Sequence, residues 1–146
     1  MDKIAITALG VNIKVADLVR SQAFYEAVGF QLIATFTGGV IYGVGGVALL
    51  ELNAHHPTVA AEVFQTRITT AKTSLMVHVP SLLPVLTAAE QAGIPLAVPP
   101  RRFPWKTIEV VVRDPDGFVV VFIAPDTPEE SQAVQGRTSA DLDRVG

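Results

Sequence analysis

The sequence predicts an α+β fold in which two βαβββ modules form a curved, open mixed β-sheet. Three observations lead there. Strand-like alternation gives way to helical spacing twice, first near Asp17 and again near Ser81. Each helical run is closed by a glycine, Gly29 and Gly93, and these stand 64 positions apart. Three further strand-like runs follow each helix, with the turn dipeptides Gly45-Gly46 and Asp116-Gly117 between the last two of each set. The same order at a fixed offset is the mark of an internal repeat.

Taken in order, Ala8 to Val15 alternates as a half-buried strand does. Asp17 suits an N-cap, because its carboxylate can accept from the unpaired N–H groups of a first helical turn. Leu18, Phe24, Tyr25 and Val28 then recur at helical spacing, and Gly29 closes the helix where a left-handed residue is needed. Phe30 to Phe36, Val40 to Val44 and Val47 to Asn53 read as strands, with Gly38-Gly39 and the glycines between Gly43 and Gly46 as hairpin turns. The second module repeats this with strand Thr73 to Val79, cap Ser81, a helix carrying Leu83, Leu86 and Ala89, and then Gly93. Its remaining strands are Ile94 to Val98, Lys106 to Arg113 and Phe118 to Ala124, with a loop over Pro99 to Trp105. The offset of 64 maps Gly10 on Ser74, Asn12 on Met76, Lys14 on His78 and Val15 on Val79. The longer loop shifts it to 70 and sets Val121 opposite Glu51. The halves, 8–53 and 73–124, form one domain over residues 1–125, joined by the linker 54–72. Residues 126–146 are polar with few core anchors and read as a tail that is mobile or packed on a partner, without chemistry of its own.

Bulk composition narrows the function. A chain of 146 residues supports one ordinary core, and 49% apolar against 17% charged residues is the balance of a folded chain. The formal net charge is -3 and Arg101-Arg102 is an isolated basic pair, so no basic surface exists to displace counterions from nucleic acid. The absence of cysteine excludes disulfides, thiolate nucleophiles and cysteine-ligated zinc. Met1-Asp2-Lys3 runs into a patterned strand without a leader-like segment, and no apolar run approaches the roughly 20 residues that span a bilayer. A soluble cytoplasmic chain with no membrane partner is expected. No readable Ser-His-Asp arrangement, glycine-rich phosphate loop or helical two-histidine metal motif is present.

Four motifs recur in a recognisable order. They are Val11-Asn12-Ile13-Lys14-Val15-Ala16-Asp17-Leu18, then Phe24-Tyr25-Glu26-Ala27-Val28-Gly29-Phe30, then Glu51-Leu52, and finally Pro104-Trp105-Lys106-Thr107-Ile108-Glu109 through Arg113-Asp114-Pro115-Asp116-Gly117. Over residues 8 to 125 the chain resembles the vicinal oxygen chelate superfamily, which includes glyoxalase I, bleomycin-resistance proteins, extradiol dioxygenases and fosfomycin-resistance enzymes. Members that use a metal place ligands on the first and last strands of each half, and the resemblance maps those places to Gly10, Glu51, Ser74 and Val121. Only Glu51 is a good donor there. Gly10 has no side chain, Val121 is hydrocarbon, and a serine hydroxyl is a poor ligand without imidazole and carboxylate companions. No metal and no cofactor are therefore expected, and a divalent-metal glyoxalase-like or dioxygenase-like enzyme is the disfavoured reading. What the resemblance retains is a cavity.

Alternation places Gly10, Asn12 and Lys14 along one inner strand and Ser74, Met76 and His78 along its repeat mate, with Glu51 projecting between them. Glu51 is the candidate general base; a structural ion pair at a strand end explains it equally well. Pairing of Lys14 with Glu51 would leave the empty pocket nearly neutral, which points to a neutral or zwitterionic, partly aromatic ligand. The bland alternatives are a Lys14 that snorkels to water and a hydrogen-bonded rim role for His78. Arg101, Arg102, Phe103 and Trp105 form a basic, aromatic loop suited to a pocket mouth or to packing on a subunit. Glu109 faces either the cavity or solvent. His55-His56 lie on opposite sides of an extended chain and cannot chelate one ion there. The ligand-binding candidates are thus Asn12, Lys14, Glu51, Met76, His78, Trp105, Glu109 and Val121.

Three functions follow as expectations. The first is a metal-independent small-molecule-binding protein of the glyoxalase/bleomycin-resistance type, with its ligand in a cavity at or near a homodimer interface. The homodimer is expected because open sheet edges and an apolar face in so small a chain call for a second copy. The second is a metal-free isomerase, lyase or related proton-transfer enzyme, with Glu51 as base and Lys14 or His78 as its partner. The third is a dimeric scaffold with a vestigial cavity.

Overall fold

The computed structural model describes residues 5, 8, 10–54 and 73–143. They fall into two compact units, Met1–Arg67 and Ile68–Gly146. His55-His56 and most of the linker expected over 54–72 lie outside the described residues.

The first unit runs β1 (Val11–Val15), α1 (Leu18–Ala27), β2 (Gln31–Phe36), β3 (Gly39–Val44) and β4 (Val47–Ala54). Its sheet has the order β1-β4-β3-β2, with β1 parallel to β4 and the other pairs antiparallel. Asp17 caps α1 by accepting from the Arg20 N–H at 3.1 Å. Gly29 follows with φ of 99°. Alternation puts Ile13, Val15, Val40, Tyr42, Leu50 and Leu52 on the face buried beneath Phe24, Tyr25 and Val28. Edge-to-face rings tie this core together, with Phe24–Tyr25 and Tyr25–Phe30 centroids 5.1 and 5.0 Å apart. The Tyr42 hydroxyl donates to Glu26 Oε1 at 3.4 Å, and burial first, then the Glu26 charge, holds its phenol well above the ordinary range. Gly45 and Gly46 both have positive φ, as the tight β3–β4 hairpin requires. Gly39, expected in a turn, instead belongs to β3 and lies beneath the Phe36 ring.

The second unit runs β5 (Ser74–His78), α2 (Leu83–Ala92), β6 (Leu96–Phe103), β7 (Thr107–Arg113), β8 (Val119–Pro125) and α3 (Pro128–Arg137). Its sheet, β5-β8-β7-β6, has the same pattern, with β5 parallel to β8. The repeat read from sequence is the strand register itself. Asn12 pairs with Glu51 as Met76 pairs with Val121, and Ile41 pairs with Glu51 as Val111 pairs with Val121. Ile108, Val110, Val112, Val120, Phe122 and Ala124 form the covered face, together with Leu82, Val85, Leu86 and Ala89. The Asp114-Pro115-Asp116-Gly117 turn is fixed by Asp114 Oδ1, which accepts from the Asp116 and Phe118 N–H groups at 2.9 and 2.7 Å.

In the second unit three local expectations are not met. Pro99 to Phe103 is strand rather than loop, and the ladder breaks register between Val98 and Arg101, where two prolines have no N–H to contribute. Ser81 is not the N-cap residue of α2, although its Oγ accepts from the first-turn Leu83 N–H at 3.2 Å. Leu82 holds that position, and its N–H donates at 2.7 Å to Glu130 Oε1 from α3. The segment beyond Pro125, expected to be a polar tail with few core anchors, mobile or packed on a partner, buries Val134 and Leu142 and places α3 against α2. Arg102 holds the same segment through Asp126 and Asp143, each at 2.9 Å.

Candidate ligand-binding faces

Each sheet has one face beneath its helix and one that the helix leaves uncovered. In the first unit the uncovered face carries Asn12 and Lys14 from β1 and Glu51 and Asn53 from β4, adjacent in register. Lys14 Nζ donates to Asn53 Oδ1 at 2.6 Å, and Asn53 Nδ2 donates to Glu51 Oε1 at 2.7 Å. The Asn53 amide therefore links Lys14 to Glu51. The ammonium selects which end of the Asn53 amide faces it, and so turns the NH₂ toward the carboxylate. Leu49 and Phe36 share this face and are 42% and 44% exposed, so the polar relay is set in accessible apolar surface.

In the second unit, Met76, Val121 and Val111 form one row across the uncovered face, and His78, Ile123 and Glu109 form the next. Met76 is 66% exposed. Glu109 Oε2 accepts from Trp105 Nε1 at 2.9 Å and from Thr107 Oγ1 at 2.6 Å. Trp105 stacks on Phe103, with centroids 4.8 Å apart and planes 14° from parallel. The tight turn before β7 is closed by Lys106, whose φ of 69° is the only positive value at a non-glycine among the described residues. Beside it lies a cleft of about 370 Å³, lined by His78, Lys106, Thr107, Ile123 and Pro125 among others. Met76, His78, Trp105, Glu109 and Val121 thus belong to one sheet end, and Asn12, Lys14 and Glu51 to one face of the other sheet. Thr107 and Lys106 were missed, because their roles depend on the path of the turn.

The places mapped for a metal do not fit one. Gly10 offers no donor, Val121 lies between Met76 and Val111, and Glu51 has Asn12 and Ile41 as its register neighbours. Among the described residues no three of His, Asp and Glu converge.

Comparison with known proteins gives a consistent picture. The chain is similar to a glyoxalase/bleomycin resistance protein/dioxygenase family enzyme from Burkholderia phytofirmans PsJN, with 26% identity over 79% of this chain and 95% of that one, at a TM-score of 0.63. The bleomycin resistance determinant encoded on transposon Tn5 shares the fold, with 21% identity over 84% and 100% of the two chains and a TM-score of 0.60. Lactoylglutathione lyase from Agrobacterium tumefaciens does so with 18% identity over 83% and 95%, at 0.62. No curated protein matches the sequence. No helix among the described residues is long and apolar enough to cross a membrane. The duplicated βαβββ register is accompanied by a sequence match to the family over residues 6–122, and the chain belongs to the Glyoxalase/Bleomycin resistance protein/Dioxygenase superfamily.

Proposed function

We propose that this chain is a metal-independent small-molecule-binding protein of the glyoxalase/bleomycin-resistance type, cytoplasmic and homodimeric, with its ligand on the uncovered sheet faces at or near the dimer interface. One observation carries the reading: carboxylates are held in fixed geometry on faces that otherwise present accessible apolar side chains. Ligand sites combine these features, with apolar area supplying affinity and a few placed polar groups supplying orientation. Glu51 is held by Asn53 and Glu109 by Trp105 and Thr107. Asn12, Lys14 and Glu51 contact ligand in the first unit, and Met76, His78, Trp105, Glu109 and Val121 in the second.

The Lys14–Asn53–Glu51 relay favours one second reading, a metal-free proton-transfer enzyme in which Glu51 is the general base and Lys14 balances its charge. Thermal-shift and native mass-spectrometric screening of aromatic antibiotics and metabolites separates the two. Binding predicts a saturable rise in Tm with an unaltered ligand mass and a complex the size of a dimer. Turnover that disappears in Glu51→Gln supports the enzyme instead. Elemental analysis after dialysis against zinc, nickel or manganese is expected to find no stoichiometric ion. One ion per chain, lost in Glu51→Ala, would overturn metal independence.

A further inference from the structure

We propose that the uncovered end of the second sheet takes a planar zwitterion, with a cationic nitrogen on Glu109, a carboxylate on Lys106 and His78, and an aromatic ring against Trp105. This rests on the small-molecule-binding reading and names the class of ligand.

Glu109 is held on one side only. Trp105 and Thr107 both donate to Oε2, and Oε1 accepts no hydrogen bond among the described residues. Arg101 lies opposite Glu109 in the register, yet no ion pair joins the two among the described residues. The carboxylate is therefore oriented, half-buried and open to a donor, and a charged donor gives the stronger bond. Trp105 supplies the flat surface. Its indole N–H is committed to Glu109, one ring face is stacked on Phe103, and the residue remains 63% exposed, which leaves the other ring face accessible.

The opposite charge comes from the adjoining cleft. Lys106 is fixed in a left-handed conformation that non-glycine residues seldom adopt, and its neighbours enforce it: its N–H donates to Phe103 O at 3.1 Å, and its carbonyl accepts from Asp126 N at 3.0 Å. Asp126, whose N–H bonds the Lys106 carbonyl, is already engaged by Arg102 at 2.9 Å. Lys106 and His78 line the cleft without a carboxylate partner among the described residues. His78 and Glu109 flank Ile123 in one row, so their backbones are roughly 10 Å apart, two strand spacings. A ligand with its charges at opposite ends of one ring spans that separation, and a cleft of about 370 Å³ is of small-ligand size.

Trp105 is the only tryptophan, so its fluorescence reports this site directly. The probes are 4-(aminomethyl)benzoate, benzylamine and benzoate, titrated into the full-length protein. The zwitterion is expected to perturb Trp105 saturably with a Kd about tenfold or more below both singly charged analogues, the scale of one added charged hydrogen bond. Lys106→Asn keeps a residue that tolerates positive φ and should bring the zwitterion down to the level of benzylamine. Glu109→Gln should bring it down to the level of benzoate. A zwitterion that binds no better than either analogue, an advantage that survives both substitutions, or no response to any probe overturns the proposal. If the wider screen still finds a ligand, only the inferred class fails; if that screen also finds none, the binding reading fails with it.

Discussion

Replacing Glu130 by alanine removes the acceptor that terminates α2. Glu130 sits in the first turn of α3, is 8% exposed, and through Oε1 accepts from the buried Leu82 N–H at 2.7 Å and from Ser81 Oγ at 3.2 Å. A hydrogen bond to a charged group contributes about 1.5–3 kcal/mol, and stranding a buried N–H costs a similar amount. A carboxylate at a helix N-terminus adds about 0.3–1 kcal/mol. These terms overlap, so the expected loss for Glu130→Ala is about 3 kcal/mol, and about half that for Glu130→Gln, which keeps a neutral acceptor. For a chain of this size 3 kcal/mol corresponds to a fall in Tm of roughly 10 °C. The Thr127 cap of α3 accepts from the Glu130 backbone N–H at 3.1 Å and is untouched, so the loss belongs to the contact between the helices. Urea unfolding followed by circular dichroism, analysed with a common m-value, measures it. Glu129→Ala, an exposed acid in the same turn, is the control. A Glu130→Ala loss no larger than that control, or below about 0.5 kcal/mol, would refute the anchoring of α3 on α2.

Gly39→Ala should destabilise by about 2 kcal/mol in the same assay, because the new Cβ would meet the Phe36 ring and come within 2.8 Å of Leu52 O, and a neutral outcome would refute that packing. The two tyrosines give a test at high pH. The folded-state pKa of Tyr42 is raised above its ordinary value of 10.0, so the unfolded chain loses this proton first, and the resulting stabilisation, full below pH 10.0, declines as pH rises beyond it. Absorbance titration of the folded protein should show at least one tyrosine that ionises only on unfolding. Two reversible ionisations near pH 10.0 with native circular dichroism would contradict the burial of Tyr42.

Much of the site was legible because strand alternation is a local property. Glu51 with Asn12 and Lys14, and Met76 with His78, share faces as a period of two requires, while alternation alone left Glu109 facing either cavity or solvent. Their partners were not legible. Asn53 lies between Lys14 and Glu51 only because side-chain rotamers on adjacent strands bring the three together. Trp105 reaches Glu109 only because the chain reverses tightly through a left-handed Lys106. The helix after Pro125 did carry a signal, Thr127-Pro128-Glu129-Glu130, which places a cap, a first-turn proline and two acids in order. Its low hydrophobicity outweighed that signal, since the anchors Val134 and Leu142 are few and widely spaced.

By itself, then, the sequence determined the α+β class, the duplicated βαβββ order and the register offsets of 64 and 70. Each of these is written within a few residues, in the alternation of a strand, the glycine that closes a helix, or the chemistry of a side chain. Only the tertiary structure decided that Glu130 caps a helix 48 positions earlier, that Arg102 bridges Asp126 and Asp143, and that Pro99 to Phe103 joins a ladder. Those outcomes depend on which distant groups meet once the chain has closed its loops, where a buried N–H or guanidinium takes whatever acceptor the packing brings to it, and no local pattern specifies that choice.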